Sequence, residues 1–451
     1  MQSEIAAKVA QKLSGGPAAT AVTAATTDTA TTKNLAAFDA YLRERALQTS
    51  SSPTPLEPVL LFEEAVRLDS SYPLAWARLA EALVQMRQRG FDLSEQTSAK
   101  ARNAASTARR LNPNLPEALL AMALVRLSVE RDFDGSQREL DETERLRPND
   151  PEVPTTRALL QRARGNWGEG LMALTARAVA LDPLNGAVFL DLGRMLAEIG
   201  HHAEAEQLSI CCAELVPDSR MQYYRAGNHL AWTGEVRPAL KILATIPASL
   251  SEDRLANLAR GQMLAMKGEI ATAISAYEKV MADVASLQAS AAGPRSLGVN
   301  ATYRNGQLEA RRGNRARATE LYSEALVAAL QFSKDYPELF VEDMELAVIR
   351  ALRGERSEAL ANTDEAMQKA ARTRHPVDIA RVRELRAEVL AILGETDAAV
   401  AELRALHEKG WAFGYRLRLE LEWEPLRGDA KFQSLMKDAE ARADAQPRPK
   451  K

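Results

Sequence analysis

Seven glycines set the frame of this chain. Gly165, Gly200, Gly234, Gly268, Gly313, Gly354 and Gly394 stand 35, 34, 34, 45, 41 and 40 residues apart. Seven residues before each is a small side chain: Ala158, Gly193, Gly227, Gly261, Gly306, Ala347 and Ala387. Five residues after each is another: Gly170, Ala205, Ala239, Ala273, Ala318, Ala359 and Ala399. Around Gly200, Phe189, Leu192, Gly193 and Leu196 recur at the steps of one helical face, and Ala205, Leu208, Cys212 and Leu215 do so after it. A glycine between two such faces ends the first helix, because it takes the left-handed C′ conformation without steric cost. The small residues let the two helices of a hairpin approach closely. One hairpin cannot bury its apolar stripe, so the pattern predicts a stacked repeat array. Prolines 113, 148, 183 and 217, spaced 35, 35 and 34 apart, mark repeat ends, since proline cannot donate the next helical bond.

These residues resemble the tetratricopeptide (TPR) pattern, W-x2-L-G-x2-Y, then A-x3-F, then P. Phe189, Leu192, Gly193, Leu196, Ala205 and Pro217 fit its offsets, and Ala273 with Tyr277 and Ala318 with Tyr322 supply its A-x3-aromatic part. The resemblance implies an all-α fold, a TPR-type α-solenoid: a right-handed superhelix of antiparallel helix pairs.

The repeat divides the chain. Residues 1–34 read as a short helix (Ile5, Val9, Leu13) and an Ala/Thr linker; 35–408 as the array, about nine hairpins; 409–440 as an aromatic cap on its open end; 441–451 as a disordered tail. Ser50 to Pro58 reads as a loop, as does the stretch through Gly293-Pro294, and the turn at Gly90 is enlarged. Two flanking stretches resemble the borders of arrays that follow TolB-like domains in bacterial proteins with cyclase, winged-helix or kinase modules. They are Asn34–Arg43 and Glu424–Phe432. That resemblance implies, as an alternative function, the regulatory or sensory part of a signalling protein whose output domain is not in this chain.

Composition excludes several classes. With 58 basic and 61 acidic residues the net charge is −3, which does not favour direct nucleic-acid binding. No uncharged apolar run reaches the roughly 18 residues of a membrane span, and the N-terminus lacks the apolar core of a signal peptide. The expected compartment is cytoplasmic, or periplasmic for a membrane-anchored relative. The two cysteines, Cys211 and Cys212, are adjacent and cannot staple distant segments. With His201 and His202 they do not show zinc spacing, and Cys212 fills a slot for a small buried residue, so no metal or other cofactor is expected. P-loop, HExxH and GxSxG motifs are absent, and no catalytic residue or enzyme activity is expected.

What remains is the face of the first helices, which lines the groove of the TPR fold. Groove positions lie three and two before the small residue, one after it, and four or five after it. They give Arg194, Tyr224, Arg225, Asn228, Trp232, Gln262, Tyr303, Arg304, Gln307 and Arg311. Arg225, Asn228 and Arg304 match part of a carboxylate clamp, but its lysine is missing. A polar-aromatic groove for a protein or peptide partner is the expected function.

Overall fold

The computed structural model describes residues 32–48, 56–88, 92, 94–166, 169–215, 219–246, 254–285, 292–337, 339–373 and 375–446. The helix read over 3–13, most of the following linker, the turn at Gly90 and Pro217 lie outside them. Among the described residues there is no strand. Contacts divide the chain into two units, one of residues 1–192 with 214–216, the other of 193–213 with 217–451.

Ten hairpins are present among the described residues, one more than the sequence suggested. In the first unit they begin with α1 (Leu35–Gln48) and α2 (Leu56–Leu68), then α3 (Pro73–Gln88) and α4 (Glu95–Leu111). Next come α5 (Pro116–Val125) with α6 (Phe133–Leu146), and α7 (Glu152–Arg164) with α8 (Glu169–Leu181). The cut between units runs through α9 (Gly186–Glu198) and α10 (His202–Leu215). The second unit continues with α11 (Ser219–Thr233), α12 (Val236–Leu243), α13 (Arg254–Met266), α14 (Ile270–Ala285), α15 (Ala292–Arg311) and α16 (Arg315–Asp335). It ends with α17 (Phe340–Leu352), α18 (Arg356–Thr373), α19 (Pro376–Ile392) and α20 (Thr396–Glu408). Odd-numbered helices are therefore first helices and even-numbered ones second helices. In the second unit, each first helix from α11 on packs on its own partner and on the next first helix, so the first helices form a continuous layer.

Two turn chemistries repeat. All seven frame glycines are left-handed, with φ between 73° and 90°. At six of them the glycine N–H donates to the carbonyl three residues back and the next N–H to the carbonyl five before it, as at Gly200→Ala197 and His201→Leu196. This closure satisfies the carbonyls a helix end leaves open. Between hairpins, Pro113, Pro148 and Pro183 sit second in tight turns closed by Leu115→Asn112, Asp150→Arg147 and Asn185→Asp182 N–H to O bonds. Proline's fixed φ suits that position. Between α5 and α6 the left-handed residue is Arg131 (φ 58°), after a π-helical turn over Arg126–Glu130. The glycine count could not reveal that turn.

Two loops read from the sequence are helical at their ends: Leu56–Pro58 open α2, and Gly293-Pro294 lie in the first turn of α15. Proline is tolerated in a first turn because its missing N–H has no partner there. At the other border, Thr32 donates to Asp69 (2.5 Å) and the Asn34 amide to the Leu68 carbonyl (2.8 Å). These residues are tied to the α2 end, so the linker reading fails at 32–34. The tail is ordered further than expected too, since α22 runs over Ala430–Asp444.

Candidate functional site

The first helices of the second unit carry the predicted groove residues, and the C-terminal segment lies across them. Residues 409–440 pack on the last hairpin and turn back along the first helices as far as α11. After α20, Gly410 (φ 96°) turns the chain back, its N–H on His407 O and that of Trp411 on Leu406 O. There follow a helical turn α21 (Arg416–Leu419), extended Glu420, a 3-10 turn over Leu421–Leu426, and α22, which Asp429 caps through the Phe432 N–H at 2.8 Å. The 3-10 turn packs on α19 and α20, and α22 on α20 and α11.

Helix-end glycines form the seat. A Cβ on Gly200 would fall 2.3 Å from the Ala412 Cβ, and one on Gly234 2.7 Å from the Tyr415 ring. Gly414 is left-handed (φ 54°), and a Cβ there would meet the Ala231 carbonyl oxygen at 2.0 Å. That oxygen accepts the Tyr415 N–H at 2.9 Å. Gly234 is the one frame glycine that does not close its helix in the common way: its N–H donates to Leu230 O, and Ala231 O is left for Tyr415. Leu419 joins the core of α11–α13, and Leu421 that of α13–α15.

Charge completes the contact. Arg304 pairs with Glu422 and Arg311 with Glu424. Arg416 reaches Glu384 of α19 at 2.8 Å and Glu420 at 2.7 Å, while the Trp411 indole donates to Glu384 (2.8 Å) and that of Trp423 to Glu420 (3.1 Å). Burial works against the Glu422 charge, yet Arg304 holds its carboxyl below the usual value. Burial, with Glu422 beside it, pushes Glu388 of α19 up to about 8. Burial also raises Glu345 of α17, which accepts from the Ser296 hydroxyl at 3.1 Å, and lowers His202 to about 3, helped by Arg416.

The predicted residues divide accordingly. Trp232 and Tyr303 are 2% exposed and Asn228 5%, so these three are core and not an open groove. Tyr303 packs with Val299, Ala318 and Leu346, and its hydroxyl accepts from Asn300 at 2.8 Å. The spacing puts all ten residues on first helices, but it does not tell an inward side chain from one between two first helices. Arg194, Tyr224, Arg225, Gln262, Arg304 and Gln307 are half-buried, and Arg311 is exposed at the rim. Arg225 and His229 flank Glu206 of α10, the latter at 3.2 Å. Sequence reasoning missed Tyr415, Arg416, Glu420, Glu422 and Glu424. Their signal was the alternation Leu417, Leu419, Leu421, Trp423 with Arg418, Glu420, Glu422, Glu424. Cys211 and Cys212 are buried. Among the described residues no group of three or more His, Cys, Asp or Glu could hold a metal ion, and no helix is long and apolar enough to cross a membrane. The ion pairs, the Ala231 carbonyl and the apolar seats together hold the chain's own residues 415–426 against its first helices.

The fold and this face define a TPR-type helical repeat. No family model matches the chain. It is similar to cellulose synthase operon protein C of Salmonella typhimurium, 30% identical over 125 residues, which are 28% of this chain and 10% of that protein's length. Among solved structures it resembles a tetratricopeptide repeat protein from Parabacteroides merdae, at 15% identity and TM-score 0.33 over 71% of this chain and 97% of that one. It also resembles the human IFIT1 dimer with PPP-AAAA, at 14% identity and TM-score 0.38 over 91% and 93%.

Proposed function

We propose that the chain is a non-catalytic scaffold that captures a protein or peptide partner on the first-helix face of its second unit. The observation that carries this reading is that the face already holds a segment of chain. It does so through a backbone bond to Ala231, apolar seats for Leu419 and Leu421, and the Arg304–Glu422 and Arg311–Glu424 pairs. None of these contacts depends on the held segment being part of the same chain. Half-buried Tyr224 and Arg225 add residue types that are enriched among binding hot spots.

The test compares two double variants of the full chain. One carries Tyr224→Ala and Arg225→Ala on the first-helix face. The other carries Glu278→Ala and Lys279→Ala, exposed on second helix α14. Partners cross-linked in the source cell should be lost by the first variant and kept by the second, with both retaining the helical circular dichroism of the parent. The reverse outcome moves binding to the second helices and overturns the reading.

A further inference from the structure

We infer that residues 415–426 are a releasable occupant of the first-helix face, and that the outside ligand is a peptide of the same chemistry, with leucines and a tryptophan alternating with carboxylates. This rests on the reading that the face binds peptides. The resident segment makes its backbone bond by taking the Ala231 carbonyl, which at the six other frame glycines is satisfied within the helix end itself. When the segment leaves, Gly234 can adopt the closure its six counterparts use, so release exposes no orphan carbonyl. The occupant also fits incompletely. Glu388 Oε1, beside Glu422, is buried without a hydrogen-bond partner among the described residues. A ligand that meets it gains over the resident, because a buried unpaired polar group is costly.

The chemistry of that ligand is read from what the seats hold. Arg304 and Arg311 take carboxylates two residues apart, Glu422 and Glu424. Leu419 and Leu421, also two apart, enter adjacent cores. Trp423 and Leu426 are buried between the acids and the start of α22. A tethered occupant competes at an effective concentration on the order of millimolar, so an outside peptide meets a closed face until the tether loses.

The probe is a fluorescein-labelled peptide spanning Gly414–Arg427, titrated by anisotropy into full-length chain. Gly414→Val drives a side chain into the Ala231 carbonyl at a left-handed position and undocks the segment without altering the face. The Gly414→Val chain should bind the probe at least tenfold more tightly than wild type. Adding Arg304→Glu should abolish that binding, and a probe carrying Glu422→Arg should recover it. Equal binding to wild type and Gly414→Val, or indifference to Arg304, overturns the inference. A Gly414→Val dimer that the probe dissolves would assign the seat to a second copy and overturn an outside ligand. Hydrogen exchange on the wild-type chain covers the case in which Gly414→Val does not fold. Amides of 415–426 should exchange at least tenfold faster than those of α11 and α19, and faster still with excess unlabelled peptide. Exchange together with the helices as one unit refutes release. Partner capture that is still lost with Tyr224→Ala and Arg225→Ala then keeps the face as a binding surface.

Discussion

The glycines of this chain do three different jobs, and substitution separates them. Gly261 and Gly306 lie against rings: a Cβ on either would fall 2.6 Å from Tyr277 or Tyr322. Gly261→Ala is expected to destabilise by about 1–3 kcal/mol through overpacking. Gly193 has ordinary space, 3.4 Å to the Leu208 Cβ. Alanine is therefore accommodated there, whereas leucine overpacks. Gly227 is exposed with nothing within 4 Å, so Gly227→Ala should stabilise by up to about 1 kcal/mol by removing a glycine from a helix interior. Urea unfolding of the three alanine variants checks the order. The same contrast shows how far the sequence could be read at this scale. Twelve of the fourteen small slots are buried, and the two exceptions are Gly170 and Gly227. In α11 the buried small residue is Ala226, one position earlier. The displaced slot belongs to the hairpin whose turn is closed by Tyr415, and no local pattern announces a turn completed by a residue so far along the chain.

At the scale of elements, helices and turns were legible because their causes are local: periodicity, left-handed glycines, turn prolines. The C-terminal segment was not. Its alternation of leucine and glutamate was visible, but the partners Arg304 and Arg311 lie more than a hundred residues earlier. Stability should depend on pH through Glu388. In the folded chain, burial and the neighbouring Glu422 raise this carboxyl from 4.5 to about 8, so folding favours the protonated form. The stabilisation is full below pH 4.5 and is lost as pH rises through about 8. Burial raises Glu345 and Glu420 in the same sense, while Glu422, held down by Arg304, acts oppositely and only on the acid side. Melting temperature should therefore fall as pH rises from about 5 to about 9, and Glu388→Gln should flatten that fall. A profile unchanged by Glu388→Gln would place the titration elsewhere.

On the scale of the whole molecule, a repeat array carries damage to its neighbours first. Leu140 of α6 is fully buried with Leu120, Leu160 and Ala163. Leu140→Ala is expected to cost about 2–5 kcal/mol through the lost burial and the cavity left behind. Hydrogen exchange should speed up in α5–α7 of the first unit, while amides of α15–α19 in the second keep their protection. Uniform acceleration across both units would show one cooperative body instead of neighbour-limited repeats.

The chain's own C-terminal segment sits on the face of its first helices. A double-mutant cycle on Arg304 and Glu422 tests this docking. The pair joins α15 to the 3-10 turn, with side chains 17% and 10% exposed. Urea unfolding of Arg304→Ala, Glu422→Ala and the double variant should give a coupling of about 1–3 kcal/mol, as for residues in direct contact. A coupling near zero would mean that the segment does not sit on this face.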